Sequence, residues 1–145
     1  MAIREELITM LNQALKLEHA AEIQYLNHAK MIKGLNALPI IAQLEEIAGD
    51  EHKHAEKFRN LITNCLNGEP TMDMTETHRA QDLHAILEVN LKDEKTAIEF
   101  YKQIYHKIVD NKADLYYFET LEHEVRHIII DEQEHTIELS TLLGL

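Results

Sequence analysis

The sequence predicts an all-α fold: a four-helix bundle of two antiparallel helix pairs joined by a long crossover loop. Three observations predict it. The 145 residues are rich in Ala, Leu, Ile, Glu and Lys, with four Gly, two Pro and no Trp. That composition suits long helices and is avoided by β-sandwiches. Apolar residues recur at steps of three and four, with no strand-like alternation. The breaks between the periodic runs are unequal, two short and one long, and loop length sets topology.

The first run passes through Ile3, Leu7, Leu11, Leu15, Tyr25, Ala29 and Ile32 before Gly34 ends it. LNAL then leads to Pro39, a good first-turn residue, and a second run extends to about Leu66. Asn67-Gly68-Glu69-Pro70 breaks that helix. A third run begins near Ala80 and continues through Leu83, Leu87, Leu91, Ile98, Tyr101 and Ile108, pausing around Asp110-Asn111. The fourth covers roughly Ala113 to Leu143, with Leu121, Val125, Ile128, Leu139 and Leu142 on one stripe. Short connections near Gly34 and Asn111 make each flanking pair antiparallel. From Asn67 to about Arg79 no helical pattern is present. Roughly a dozen extended residues at about 3.3 Å each reach some 40 Å, the length of a helix of about 27 residues. One domain over 1–145, with enough chain to bury a core, is expected.

The totals also exclude function classes. A net charge of −12 argues against nucleic acid and anionic membranes as partners, because both need a basic surface. The single cysteine, Cys65, allows no internal disulfide and no Cys-based zinc or iron–sulfur site; it reads as a small apolar helix residue. MAIREELITML carries charges at positions 4 to 6 and lacks the apolar run of a signal peptide. No run of about 18 apolar residues exists to span a membrane, so a cytoplasmic protein is expected.

The chemistry lies where polar residues interrupt the inward stripes. DEHKHAEKF at 50 to 58 is densely ionisable, yet it sits between the apolar-periodic runs LPIIAQLEEIA and RNLITNCL. Leu11, Leu15, Glu18 and Tyr25 share one face of the first helix. Leu44, Ile47, Glu51, His54, Phe58 and Leu61 share one face of the second. Leu87, Leu91, Glu94, Ile98 and Tyr101 line the third, and Leu121, Val125, Ile128, Glu132, His135, Leu139 and Leu142 the fourth. Two helices thus carry one inward Glu each and two carry Glu-x-x-His, a spacing that closes both side chains on one point. Four carboxylates buried together are strongly unfavourable unless compensated. Two divalent cations supply +4 against −4. Oxygen-rich ligation with one imidazole per metal suits iron or manganese better than zinc.

In LEHAAEIQYLNHAKM at 17 to 31, DEHKHAEKF, Glu94 and DEQEHTIEL at 131 to 139, the chain resembles the ferritin-like di-iron carboxylate proteins, and most of all the bacterioferritins. The resemblance implies two iron ions per chain, with Glu18 and Glu94 as terminal carboxylates, Glu51 and Glu132 as bridges, and His54 and His135 as one ligand to each ion. It implies ferroxidation, the conversion of Fe(II) to Fe(III) with O2 or H2O2, for iron detoxification or storage. Tyr25 matches a tyrosine the family places beside the centre, where it would hydrogen-bond a ligand or pass on an electron. Bacterioferritins hold haem between two subunits through a methionine just after the second-helix Glu, and His52 stands at that position. The short fifth helix that lines the channels of storage cages is missing after His135, which counts against a 24-subunit cage; a homodimer or larger homo-oligomer is expected. Glu22 lies one turn after Glu18 and reads as a helix-edge charge. His123, His127 and Glu134 fall off the fourth stripe and read as outward-facing. Two alternatives are a rubrerythrin-like peroxidase and a non-catalytic iron- or manganese-binding subunit. The former carries an extra Glu where this chain has Ala97.

Overall fold

The computed structural model describes residues 2–145. Helix α1 spans Ile3–Met31, α2 Ala37–Asn60, α3 Leu83–Asp110 and α4 Phe118–Leu143, and no sheet is present among the described residues. Helix α1 packs along α2, and α3 along α4. Lys107 pairs with Glu6 at 3.2 Å while Gln24 bonds Asn90 at 2.9 Å, so α1 and α3 also run in opposite directions.

Local chemistry sets where each helix starts and stops. Asn36, in the left-handed region at φ 66°, precedes α2, and Pro39 falls in its first turn, where a missing N–H is harmless. The last turn of the second run is a π-helix at Leu61–Cys65, which then closes through Asn67 at φ 53°. Gly68 follows because a Cβ there would meet Ile8 Cδ1 at 2.9 Å and Ile62 Cγ2 at 3.2 Å.

Two boundaries differ from those the apolar pattern predicts. Helix α3 begins at Leu83 rather than near Ala80, because Asp82 caps it by accepting from the Ala85 N–H at 2.9 Å. Helix α4 begins at Phe118 rather than near Ala113. A 3-10 turn at Lys112–Asp114 intervenes, and buried Leu115 anchors the connection before the helix can start. Leu142, expected on the inward stripe, is 39% exposed in the last turn of α4.

The crossover runs the length of α1 and is tied to it. Arg4 bonds the Leu66 and Asn67 carbonyls, Asn12 donates to the Glu69 carbonyl and accepts from the Thr71 N–H, and the Thr75 N–H reaches the Lys16 carbonyl. Its far end is fixed by Gln24, whose Oε1 accepts from the His78 N–H at 2.6 Å.

Two apolar layers fill the bundle. One gathers Leu7, Leu11, Leu15, Phe58, Ile104 and Val125 among others. The second, toward the opposite end, holds Leu44, Ile47, Leu87, Leu91 and Leu139. Each such side chain contributes about 1.5–3 kcal/mol on full burial. Between the layers lies a band of buried ionisable residues, and those apolar layers keep bulk water from both of its ends.

Candidate metal centre

All six residues singled out on the inward stripes lie in that band, each 3% exposed or less. They form two overlapping donor groups. Glu18, Glu51, His54 and Glu132 make one; Glu51, Glu94, Glu132 and His135 make the other. Glu51 and Glu132 belong to both, so the two groups define a dinuclear metal-binding geometry with two shared carboxylates. His54 Nδ1 lies 3.0 Å from Glu132 Oε1, 3.2 Å from Glu51 Oε1 and 3.5 Å from Glu18 Oε1. His135 Nδ1 lies 3.0 Å from Glu94 Oε2, 3.5 Å from Glu132 Oε1 and 3.6 Å from Glu51 Oε1. Donor atoms in adjacent positions on one cation, each bonded at about 2.1 Å, are about 3 Å apart, so these spacings fit.

Unsatisfied atoms point the same way. Glu18 Oε2, Glu51 Oε1, His54 Nδ1 and Glu132 Oε1 are buried with no hydrogen-bond partner. Orphaned polar atoms are rare in folded interiors. Here they converge, and a pair of cations satisfies them together.

Charge compensation in the protein itself is strained. Burial, with the charge of Glu132 added, pushes the Glu18 carboxyl up to about 7 and the Glu94 carboxyl up to about 8. Burial and the neighbouring carboxylates drive Glu51 well above its ordinary range. Glu132 goes the other way: burial opposes its ionisation, but the adjacent His135, His54 and Glu51 side chains hold it below the usual carboxylate range. Burial likewise opposes the charged imidazoles, yet their carboxylate partners raise His135 to about 11 and His54 well above its usual value. Protons thus occupy positions that metal ions would take, and ligation releases them.

Three residues at the centre lie outside the six. Asp131 Oδ2 sits 2.8 Å from His54 Nε2, and Asp50 Oδ2 sits 2.9 Å from His135 Nε2. A carboxylate on Nε2 fixes the ring so that Nδ1 faces inward as a donor. The pairing crosses between helices: Asp50 on α2 serves the histidine of α4, and Asp131 on α4 serves that of α2. The one trace of both in the sequence is the Asp that immediately precedes the Glu in DEHKH and in DEQEH. The third is Tyr101, whose hydroxyl donates to Glu18 Oε1 at 2.8 Å. Tyr101 was expected only as part of an apolar stripe.

Tyr25 is buried beside the carboxylates, and its hydroxyl has no partner. Burial and the charges of Glu94, Glu51 and Glu132 hold that hydroxyl well above its ordinary pKa, so it stays protonated. The remaining singled-out residues stand apart. His52 is exposed on the outer side of α2 and contacts half-buried Glu22 at 3.2 Å. His123 and Glu134 are exposed, and half-buried His127 stacks on His123 at 4.2 Å between ring centroids. Cys65 is half-buried and free.

Comparison with known proteins agrees with this geometry. The ferritin-like domain family matches residues 8–145. The chain belongs to that family. A bacterioferritin of Desulfovibrio desulfuricans is 30% identical over 133 residues, covering 91% of this chain and 71% of that protein. A ferritin-like di-iron carboxylate protein of Bacillus anthracis superposes with a TM-score of 0.90 at 27% identity, over 99% of both chains. A dodecameric thioferritin of Bacteroides fragilis superposes with a TM-score of 0.84, also at 27% identity, over 97% of this chain and 86% of that one. The dinuclear geometry matches the di-iron centre of the Bacillus anthracis and Desulfovibrio desulfuricans proteins and is consistent with ferroxidase-type oxidoreductase chemistry.

Proposed function

We propose that the chain binds two iron ions through Glu18, Glu51, His54, Glu94, Glu132 and His135, and oxidises Fe(II) to Fe(III) with O2 or H2O2. The observation that carries this reading is the sharing of Glu51 and Glu132 between the two donor groups. Two bound Fe(II) ions supply two electrons to one oxidant molecule, which a single iron cannot. The protein's part is placement and charge. Four carboxylates offset the cations and stabilise the higher charge of Fe(III) as hard oxygen donors. Asp50 and Asp131 hold the imidazole tautomers. Tyr101 fixes Glu18, and the protonated Tyr25 hydroxyl is free to donate a hydrogen bond at Glu94 or toward the oxidant. The apolar layers above and below exclude bulk water. No helix among the described residues is long and apolar enough to cross a membrane. A reducing, cytoplasmic setting, where iron is soluble as Fe(II), suits the reading.

Aerobic addition of Fe(II) to the metal-free chain tests it, with O2 and H2O2 as separate oxidants. The expected result is near-ultraviolet Fe(III) absorption that rises faster than in buffer and saturates at about two ions per chain, one for each donor group. Oxidation no faster than buffer overturns the enzyme reading. Ala97, buried beside the centre, offers no additional carboxylate, which weighs against the rubrerythrin-like alternative.

The same proposal includes self-association. Ile23, Leu26 and Met31 of α1 are exposed, and Met72 and Met74 of the crossover are exposed too, with Met72 and Met74 bordering Ile23. That apolar outer surface suits a second copy of the chain. Native mass measured with metal content on one sample distinguishes monomer, dimer and larger assemblies.

A further inference from the structure

The carboxylates of the centre face a cavity of about 220 Å³ between α1 and α3, roofed by the crossover. Glu51, Glu94, Glu132 and Tyr25 line its inner end, and Glu51 Oε1, Glu132 Oε1 and the Tyr25 hydroxyl are buried there without partners. Small side chains, Ala20, Ala21 and Ala97, leave the space open. At the outer end stand Asp93 of α3 and His78 of the crossover, with His78 Nδ1 2.8 Å from Asp93 Oδ2. Both are partly exposed, at 47% for His78 and 32% for Asp93. Gln24 positions the pair, donating to Asp93 Oδ2 at 2.8 Å while accepting from the His78 N–H.

The opposite side of the bundle is closed by contrast. There His54 and His135 stand between the centre and solvent, each with its outer nitrogen bound to Asp131 or Asp50. A cation arriving from that side must displace an imidazole that the centre itself needs.

We propose that a divalent cation reaches the dinuclear site through the cleft between α1 and α3, and that Asp93 with His78 forms a transfer site at its mouth, handing the ion to Glu94. The proposal rests on the metal-centre reading above. The two donor atoms are spaced as adjacent ligands on one cation, about 3 Å apart. One imidazole and one carboxylate suit the same borderline-to-hard divalent ions as the centre itself. Asp93 precedes Glu94 on α3, so the outer and inner donors sit on one rigid helix. The cavity has room for several waters at about 30 Å³ each, so the ion can exchange hydration for carboxylates in steps rather than at once.

Stopped-flow mixing of the metal-free full chain with Co(II), a coloured and redox-inert probe, tests the route. His78→Ala/Asp93→Asn is expected to slow Co(II) uptake by about tenfold or more while the final stoichiometry stays unchanged. Thr75→Trp, which fills the mouth from the exposed crossover and touches no donor, is expected to slow it as well. Glu46→Gln/Glu138→Gln, on the α2–α4 side, is expected to leave the rate as in the wild type. Equal rates in the first two variants, or slowing only in the third, overturn the route. Failure of the wild-type chain to take up Co(II) instead overturns the metal-centre reading on which it rests.

Discussion

Around His54 the imidazole and the terminal carboxylate are each held from behind by one hydrogen bond, whereas around His135 the terminal carboxylate faces an opening. His54 is backed by Asp131, and its terminal carboxylate, Glu18, is held by the Tyr101 hydroxyl at 2.8 Å. His135 is backed by Asp50 in the same way, but its terminal carboxylate, Glu94, lines the cavity between α1 and α3. Tyr25 and Tyr101 both line that cavity, but only the Tyr25 hydroxyl has no partner. The two halves share a motif, Asp-Glu-x-x-His, and two bridging carboxylates, yet differ in what stands behind the remaining Glu. On the proposed reading, one half holds an ion in place and the other exchanges with what comes through the cleft.

Removing a shared residue tests whether the halves are separable at all. Glu51→Ala takes an oxygen donor from both groups at once. It is expected to bring Fe(II) oxidation down to the buffer rate and to reduce Co(II) binding to less than one tight ion per chain, read by calorimetric titration. Normal two-site binding in that variant would refute the shared-carboxylate geometry.

The dependence on pH follows from the raised carboxyls. Glu18 at about 7, Glu94 at about 8 and the raised Glu51 are protonated in the metal-free fold where the unfolded chain ionises them, near the ordinary carboxyl value of 4.5. For an acid whose folded pKa is raised, the native state binds the extra proton, so stability falls as pH rises from about 4.5 toward 8. The raised His135 acts in the same direction above 6.5, because its charged form is the one the fold favours. Glu132, held low, gives its stabilisation at pH values above 4.5 and loses it only in acid. The thermal midpoint of the chelator-treated chain should therefore fall between pH 5 and pH 8, while the metal-loaded chain should not follow it. Metal affinity should weaken as pH falls through the same window, since each ion displaces protons. Parallel melting curves for the two forms at all pH values would contradict this account.

The Asp pair sharpens the comparison further. Asp131→Asn and Asp50→Asn should each weaken one ion by about 10–100-fold, the usual effect of losing the carboxylate behind a ligating histidine. Stepwise Co(II) titration should show one intact and one weakened site in each variant. Equal weakening of both sites in either variant would mean that the halves do not act separately.

Much of this was legible in the chain itself. Helical period alone places Glu18, Glu51, His54, Glu94, Glu132 and His135 on inward stripes, because a buried polar residue stands out against Leu and Ile at steps of three and four. Asp50 and Asp131 were missed for a physical reason. Each lies one residue off the inward face, 37–40% exposed, and resembles any solvated helix carboxylate until the partner helix is in register. Their partners are 85 and 77 residues away, and periodicity carries no information on inter-helix register. Tyr101 was hidden for the opposite reason: its ring belongs to the apolar layer, and only the position of Glu18 gives its hydroxyl a role. The buried chain of Gln24, Asn90 and His28, bonded at 2.9 Å in each link, was likewise unreadable, since each residue finds its partner on another helix. At the helix ends the apolar pattern overruns: Asp82 and Leu115 decide the starts of α3 and α4 through a cap and an anchor, neither of which has a period.

The smallest effect separates the two tyrosines. In Tyr101→Phe, Glu18 loses its buried donor, and a hydrogen bond to a charged or partly charged group contributes about 1.5–3 kcal/mol. Tyr25→Phe removes a hydroxyl that has no partner, so stability should stay level or rise slightly in the metal-free chain. Denaturant unfolding of the metal-free variants reads this difference directly. The kinetic order should be reversed. Tyr25→Phe should slow Fe(II) oxidation more than it weakens Co(II) binding, because its unpartnered hydroxyl lines the cavity beside the carboxylates and is free to bond a small molecule there. Tyr101→Phe should weaken the ion held by Glu18 and His54 and slow oxidation only in proportion. A stability loss in Tyr25→Phe as large as that in Tyr101→Phe would show that both hydroxyls are structural, and the contrast between a held half and an exchanging half would no longer stand.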